Sequence, residues 1–227
     1  MDKQTLFSRT TLFTGDHQLE KLQNATVLIA GVGGLGCVVS HILARRGVGK
    51  LLLLDCKEID LPDLNRQMLF RSADIGKPKI EVAADYIKSI HPFTEIIKID
   101  AKITDSKEFY DLMQNYKFDI IADCLDNFSS RYALEKLLGG NQYLVHGGVQ
   151  NDFGQVTTIK QGMSLKSLYE GVFDTDGIIP VCPEIVNIIG SMMANEVVSC
   201  LTNQSKLIKK LLIFELSDYS LFKIDLK

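Results

Sequence analysis

Two cations and a carboxylate recur in this chain at places that suit phosphate chemistry. Asn65, Arg66 and Gln67 stand together in "DLPDLNRQMLF" (60–70), Lys79 follows in "GKPKIE" (76–81), and Asp126 with Asn127 sits in "DCLDNFSSR" (123–131). An arginine supplies a planar fork that can hold two phosphate oxygens, and a lysine adds a second point charge. A carboxylate beside phosphates suits Mg²⁺, which takes oxygen ligands. Such a set makes a phosphoryl or nucleotidyl transfer site, in which positioning and charge neutralisation carry the catalysis. Singly, each residue also has a bland reading: Arg66 as a surface charge, Lys79 as a solvated helix face, Asp126 as a helix cap. Their joint placement at successive strand ends argues for a site.

Upstream lies a turn able to cradle the phosphates. "VLIAGVGGLGCVVSHIL" (27–43) reads as strand, glycine turn and helix, with glycines at Gly31, Gly33, Gly34 and Gly36. Gly31 allows a tight turn, Gly33 lets backbone approach an anion, and Gly36 permits close packing of helix on strand. The helix N-terminus adds partial positive charge. Asp55, at the end of the next strand, is placed to accept hydrogen bonds from a ribose hydroxyl. These features alone fit either a dinucleotide for hydride transfer or ATP. Hydride transfer needs no Arg–Lys–Asp cluster, so the downstream residues favour ATP with Mg²⁺.

The elements that must position these groups alternate. Strand-length apolar runs at 26–31, 50–55, 94–100, 118–123 and 143–148 are separated by helical periods at 34–46, 79–90, 106–115 and 128–138. Strands joined by helices in this order predict a doubly wound, mainly parallel α/β sheet of the Rossmann-like kind. After Gly148 the pattern changes. Residues 153–160 read as a strand, 161–183 as irregular, 183–201 as a long apolar helix, and the tail as two strands joined at "SDYS". The sheet is therefore expected to be extended by antiparallel C-terminal strands. One domain spans 1–227, with an N-terminal arm and helix over 1–25 and a nucleotide-binding core over 26–148.

A chain of 227 residues with 46% hydrophobic and 23% charged residues is an ordinary globular composition. Net charge is −3, so no broad basic face for nucleic acid is implied. The five cysteines form no CxxC pair, so neither a zinc site nor a disulfide framework is readable. Cys37, Cys56 and Cys124 read as buried small hydrophobes. The N-terminus lacks the pattern of a signal peptide, and no apolar stretch reaches the roughly 18 residues that span a bilayer. A cytoplasmic protein without membrane contact is the expectation.

These motifs together resemble the ThiF/MoeB/HesA family, whose adenylating fold is shared with ubiquitin-activating enzymes. The likeness rests on "GVGGLGCVVSHILARRGVGKLLLLDCKEIDLPDLNRQMLF", "GKPK" and "DCLDN". It continues in order through "VHGGVQNDFGQVTTI", "IVNIIGSMMANEVVSCL" and "LLIFELSDYSLFKIDL". The resemblance implies a homodimer that uses ATP and Mg²⁺ to adenylate the C-terminal glycine of a small ubiquitin-like sulfur carrier ending in Gly-Gly. It implies that Gly34 lies against the nucleotide, Asp55 takes the ribose, Asn65 and Arg66 contact phosphates, and Lys79 holds the triphosphate. Asp126 would bind the magnesium, with Asn127 beside it. "SRTTLF" (8–13) resembles the family's arginine segment, so Arg9 would act in trans, in the partner's site. Residues 149–227 would serve carrier binding and dimerisation. ThiF of thiamine thiazole synthesis, with a ThiS-like carrier, is the nearest branch; a MoaD-like carrier or a tRNA-base dehydratase are alternatives.

The chain also departs from that family. Many members hold a structural zinc with two CxxC pairs, whereas this chain has "SLKSLYEGV" (164–172) where the first is expected. No zinc is therefore expected, and 161–183 should be loosely held. Cys182 is the nearest thiol to the family's later-acting cysteine but is several residues out of register, and Asp176, closer to that place, cannot do thiol chemistry. His41 reads as structural, His146 as a pocket wall, and Arg131 as a residue that reaches the phosphates only indirectly, behind the groups that touch them, or as a helix-surface charge. Outside the class, an NAD-dependent oxidoreductase is favoured only by the glycine turn and Asp55, and a non-catalytic scaffold would have no use for the cation set.

Overall fold

The computed structural model describes residues 1–172, 174, 177 and 179–226. Its core is one sheet of eight strands in the order β3-β2-β1-β4-β5-β6-β7-β8. The parallel part comprises β1 (Thr26–Ala30), β2 (Lys50–Leu54), β3 (Glu95–Ile99), β4 (Ile120–Asp123) and β5 (Tyr143–Gln150). Antiparallel β6 (Phe153–Lys160), β7 (Lys210–Glu215) and β8 (Ser220–Asp225) extend it.

The central strands read as unbroken apolar runs because both faces of a parallel sheet are covered. Val27, Ile29, Leu51 and Leu53 face one layer, with α3 (Gly34–Arg45), α4 (Lys79–Ile90) and α8 (Pro183–Leu201). Leu28, Ala30, Leu52 and Leu54 face the other, with α5 (Lys107–Met113), α6 (Phe128–Glu135) and α7 (Leu165–Leu168). Alternate residues of one strand thus feed two separate cores.

Register then sets up the site. Ala30 lies beside Leu54 on one side and Asp123 on the other. The chain beyond β1, β2 and β4 therefore emerges side by side. Strand order reverses between β1 and β4, and such a switch point opens a ligand crevice at the carboxyl ends of the strands.

Three expectations need correction. The N-terminal arm is itself helical: α1 (Lys3–Thr14) and α2 (Asp16–Asn24) are parted by Gly15 at φ +81°. Asp2 caps α1 by accepting from the Thr5 amide at 2.7 Å. The segment 161–183 is not irregular throughout, since α7 lies within it. Finally, α8 is long and apolar enough by itself to cross a membrane, with mean hydropathy 1.2. It is a core helix instead. Ile185, Val186, Ile189, Met193, Ala194 and Val197 are buried against α3 and the sheet. Each large side chain so buried contributes roughly 1.5–3 kcal/mol.

Candidate functional site

The glycine turn is shaped by close approach. Gly31 takes φ +85°, and a Cβ there would sit 3.0 Å from the Cys124 carbonyl oxygen. A Cβ on Gly36 would lie 1.9 Å from the Gly31 oxygen, so only glycine lets α3 start this near β1. A Cβ on Gly33 would meet only Gln67 Nε2, in ordinary contact at 3.7 Å, whereas one on Gly34 would lie 2.9 Å from Val186 of α8. No side chain among the described residues caps α3, which leaves its first amides to an anion. Asp55 braces the turn: its Oδ2 accepts from the Val32 amide at 2.7 Å and its Oδ1 from the Lys57 amide at 2.8 Å. Lone pairs remain for a hydroxyl donor.

The cations converge on an acid that the spacing did not single out. Asp63, in a short 3₁₀ turn over Leu61–Asn65, receives Lys79 Nζ at 2.9 Å and Gln67 Nε2 at 2.5 Å. The Asp60 amide donates to it at 3.1 Å, and the Arg66 guanidinium lies 3.6 Å away. Burial alone would raise the Asp63 carboxyl. Lys79, the Asp60 amide and Arg66 together outweigh this and hold it below its usual range. Arg66 also donates to the Pro62 carbonyl at 2.8 Å and to Asn65 Oδ1 at 2.9 Å, which hold its guanidinium in place. Gln67 is buried and braces Asp63. Lys79 is a buried, paired lysine and not a solvated helix face.

Asp126 stands opposite. Asn127 Nδ2 donates to its Oδ1 at 3.0 Å, and Lys57 Nζ lies 3.3 Å from its Oδ2. Partial burial works to raise this carboxyl, but Asn127 and the Lys57 charge hold it below the ordinary value. Asn127 is also the N-cap of α6, its Oδ1 accepting from the Ser130 amide at 2.8 Å. Asp174 accepts from the first two amides of α6, Phe128 at 2.5 Å and Ser129 at 3.1 Å. Lys57 escaped the sequence reading. Its signal was a cation two residues after Asp55, at the same strand end.

Behind Asp126 is a buried polar chain. Asp123 Oδ2 lies 2.6 Å from His146 Nδ1, and His146 Nε2 lies 2.8 Å from the Tyr169 hydroxyl, to which Gln155 donates at 2.6 Å. Asp123 Oδ1 accepts from the Leu125 amide at 3.2 Å. Arg131 donates to the carbonyls of Leu125 at 2.5 Å and Gly147 at 3.2 Å. Burial, then the Arg131 charge, depress the His146 imidazole, favouring its neutral form. Arg131 is thus a buried residue rather than a helix-surface charge, and His146, fully buried, is no pocket wall.

The ThiF family model matches residues 7–227. This chain belongs to the ThiF family. It is 33% identical over 194 residues to the molybdopterin-synthase adenylyltransferase of Escherichia coli, covering 82% of this chain and 77% of that protein. It is 28% identical over 229 residues to the sulfur carrier protein adenylyltransferase of Thermus thermophilus, covering 94% and 83%. A tRNA threonylcarbamoyladenosine dehydratase of Bacillus subtilis is 35% identical over 130 residues, 57% of this chain and 50% of that one. The fold is shared with a crystal structure of E. coli MccB bound to MccA-N7isoASN, at TM-score 0.83 and 21% identity over 97% of this chain and 72% of that one. Membership makes the chain an enzyme of the nucleotidyltransferase type.

Within this ThiF-family fold, the remaining expected residues fall as follows. Residues 164–169 are held by packing: Leu165 is buried, and Tyr169 bonds His146 and packs on Phe128 at 5.1 Å. The expectation of a loosely held segment is not met there, and Asp176 lies outside the described residues. No group of three His, Cys, Asp or Glu able to hold a metal occurs among the described residues. Cys182 sits at the N-cap of α8, its amide donating to the Asn151 carbonyl at 3.3 Å. Cys37 and Cys124 are buried, the former pushed up to about 12 by burial, but Cys56 is exposed, which corrects its reading as a core residue. His41 is half-buried and accepts from Arg45 at 3.1 Å. Arg9 lies on the exposed side of α1, which packs through Phe7 on His91 and Phe93 beneath the amino ends of β2 and β3. Within one chain it is therefore at the far end of the sheet from Arg66 and Asp126. A groove of about 1030 Å³ also lies at that end, lined by His17, Asn24, Asp119 and Gln142, and contains none of the constellation.

Proposed function

We propose that this enzyme adenylates the C-terminal glycine of a small ubiquitin-like sulfur carrier ending in Gly-Gly, activating it for sulfur transfer. The observation that carries this reading is the charge around the uncapped glycine-turn helix: Asp63 draws Lys79 and Arg66 together with Arg66 Cγ 3.8 Å from where a Cβ on Gly34 would lie, and Asp55 joins the turn to Lys57, which pairs with Asp126. A hydride-transfer site has no use for that charge set. The carrier's carboxylate is ionised at neutral pH and needs no general base. It attacks the α-phosphorus of ATP, and pyrophosphate departs. Arg66, Lys79 and Asn65 would bind the triphosphate oxygens, the amides of the glycine turn would hold the phosphates, and Asp55 the ribose. Gly33 would let the backbone approach the phosphates, and Asn127 steadies Asp126. Catalysis is then placement plus neutralisation of developing charge.

Asp126 fits magnesium as a single partly exposed carboxylate, of the kind that holds an ion otherwise ligated by phosphates and water. When bound, Mg²⁺ would neutralise phosphate charge. Arg9, at the far end of its own sheet, would serve the site only across a homodimer, so we propose a cytoplasmic dimer with the arginine supplied in trans. We place the carrier in the ThiS-like, thiamine thiazole class. A MoaD-like carrier is the second reading, favoured by the 33% identity to a molybdopterin-synthase adenylyltransferase.

ATP–pyrophosphate exchange against a panel of purified carriers decides both points. The responding carrier names the branch. Asp126→Ala should abolish carrier-dependent exchange while the protein stays folded; undiminished exchange would remove Asp126 from the site.

A further inference from the structure

The residue before Asp126 is held at both ends of its backbone by buried charges. Asp123 accepts from the Leu125 amide, and Arg131 donates to the Leu125 carbonyl. Asp123 is 0% exposed and Arg131 7%. Burying an aspartate and an arginine costs several kcal/mol unless geometry compensates, so hydrophobic packing alone does not account for them. The two charges lie 3.8 Å apart and partly compensate each other, Asp123 also meets His146 at 2.6 Å, and their remaining contacts go to the backbone that leads into Asp126 and, through Gly147, to the neighbouring strand β5.

The polarity of the chain is also consistent throughout. Gln155 donates to the Tyr169 oxygen, Tyr169 donates to His146 Nε2, His146 donates from Nδ1 to Asp123, and Asp123 accepts from Leu125. Every member is satisfied with His146 neutral. Tyr169 is the one member from the segment after β6, and its ring packs on Phe128, the first residue of α6.

We infer that Asp123, Arg131, His146 and Tyr169 are positioning residues that clamp Leu125 and thereby fix Asp126, with Tyr169 linking the clamp to the seating of segment 164–172. The significance for metal rests on the reading of Asp126 as the magnesium carboxylate; the clamp itself does not. Removing the Tyr169 hydroxyl leaves His146 Nε2 and Gln155 without their partner, and Leu125 loses support two bonds away.

Hydrogen exchange on the ATP-free protein tests this without any carrier. Tyr169→Phe keeps the ring and should speed exchange of the Leu125 amide about tenfold, the scale of one lost buried hydrogen bond, while amides in α3 stay protected. In ATP–pyrophosphate exchange the same variant should need several-fold more Mg²⁺ for half-maximal rate, at unchanged KM for ATP under saturating metal. Arg131→Lys, which keeps charge but loses the fork, should deprotect Leu125 in the same way. Unchanged Leu125 exchange in both variants overturns the inference whether or not any carrier responds, and so does deprotection spread equally over α3, which would mark a general loss of stability.

Discussion

Asp63 holds Lys79 and Arg66 in the nucleotide-free enzyme, and replacing it with asparagine separates its two effects. Lys79 and Asp63 have side chains only 6% and 12% exposed, at 2.9 Å. Removing one partner of a buried pair outright costs about 3–5 kcal/mol. Asparagine keeps an oxygen for Gln67 or the Asp60 amide but not the charge, so the expected loss is about 1–3 kcal/mol. For a chain of this size that lowers Tm by roughly 2–12 °C. The sign with pH follows from the depressed Asp63 carboxyl. A group with a lowered folded pKa stabilises above its unfolded value, near 3.9, and loses that contribution as pH falls through the folded value. The gap between wild type and Asp63→Asn should therefore be full at pH 7 and close below about pH 4. ATP should then stabilise the variant more than the wild type, because triphosphate oxygens replace the missing charge on Lys79 and no longer compete with Asp63. Thermal unfolding with and without MgATP across pH checks this. Equal Tm at pH 7, or a smaller ATP-induced shift in the variant, refutes the argument that Asp63 and the triphosphate share Lys79.

Gly36→Ala would place a methyl 1.9 Å from the Gly31 oxygen, backbone against backbone, and should cost about 1–3 kcal/mol and weaken ATP binding; equilibrium urea unfolding and ATP titration read the two effects. Because burial and Arg131 depress His146, the unfolded chain takes up the extra proton, so stability should fall as pH drops below about 6.5, by no more than ~1.4 kcal/mol per unit from this group. Asp123, Arg131 and Tyr169 face that ring; urea midpoints at pH 7.5, 6.5 and 5.5 should show the slope in wild type and its loss in His146→Asn. Elemental analysis of the purified protein should find no stoichiometric zinc.

The parallel core was legible because two-faced burial forces strands such as "KLLLL" into plain apolar runs, and the glycine turn because Gly31 and Gly36 answer to backbone contacts within one strand–turn–helix unit. The α1 helix was not. It buries only Phe7 and leaves Leu12 and Phe13 exposed, so it carries no apolar stripe for periodicity to find. At four residues, α7 is too short to show a period, and its anchors Leu165 and Tyr169 are set by contacts distant in sequence. The buried clamp is tertiary in the same way: Asp123, Arg131, His146 and Tyr169 come from four different elements.

Lys79 shows how a physical clue can be present and go unused. It is the first residue of α4, where the helix presents its positive end. A cation there is disfavoured by some 0.3–1 kcal/mol, and burying it adds a desolvation cost, so a nearby anion is required whether or not a ligand is bound. The sequence offered Asp63 for that role, three residues before Arg66 and four before Gln67, the spacing at which side chains of one helical turn meet. Both earlier readings of Lys79, a solvated face or a cation open to the crevice, left it without an anion from its own chain. Asp63 supplies one, and a triphosphate bound as proposed would have to compete with it for Lys79.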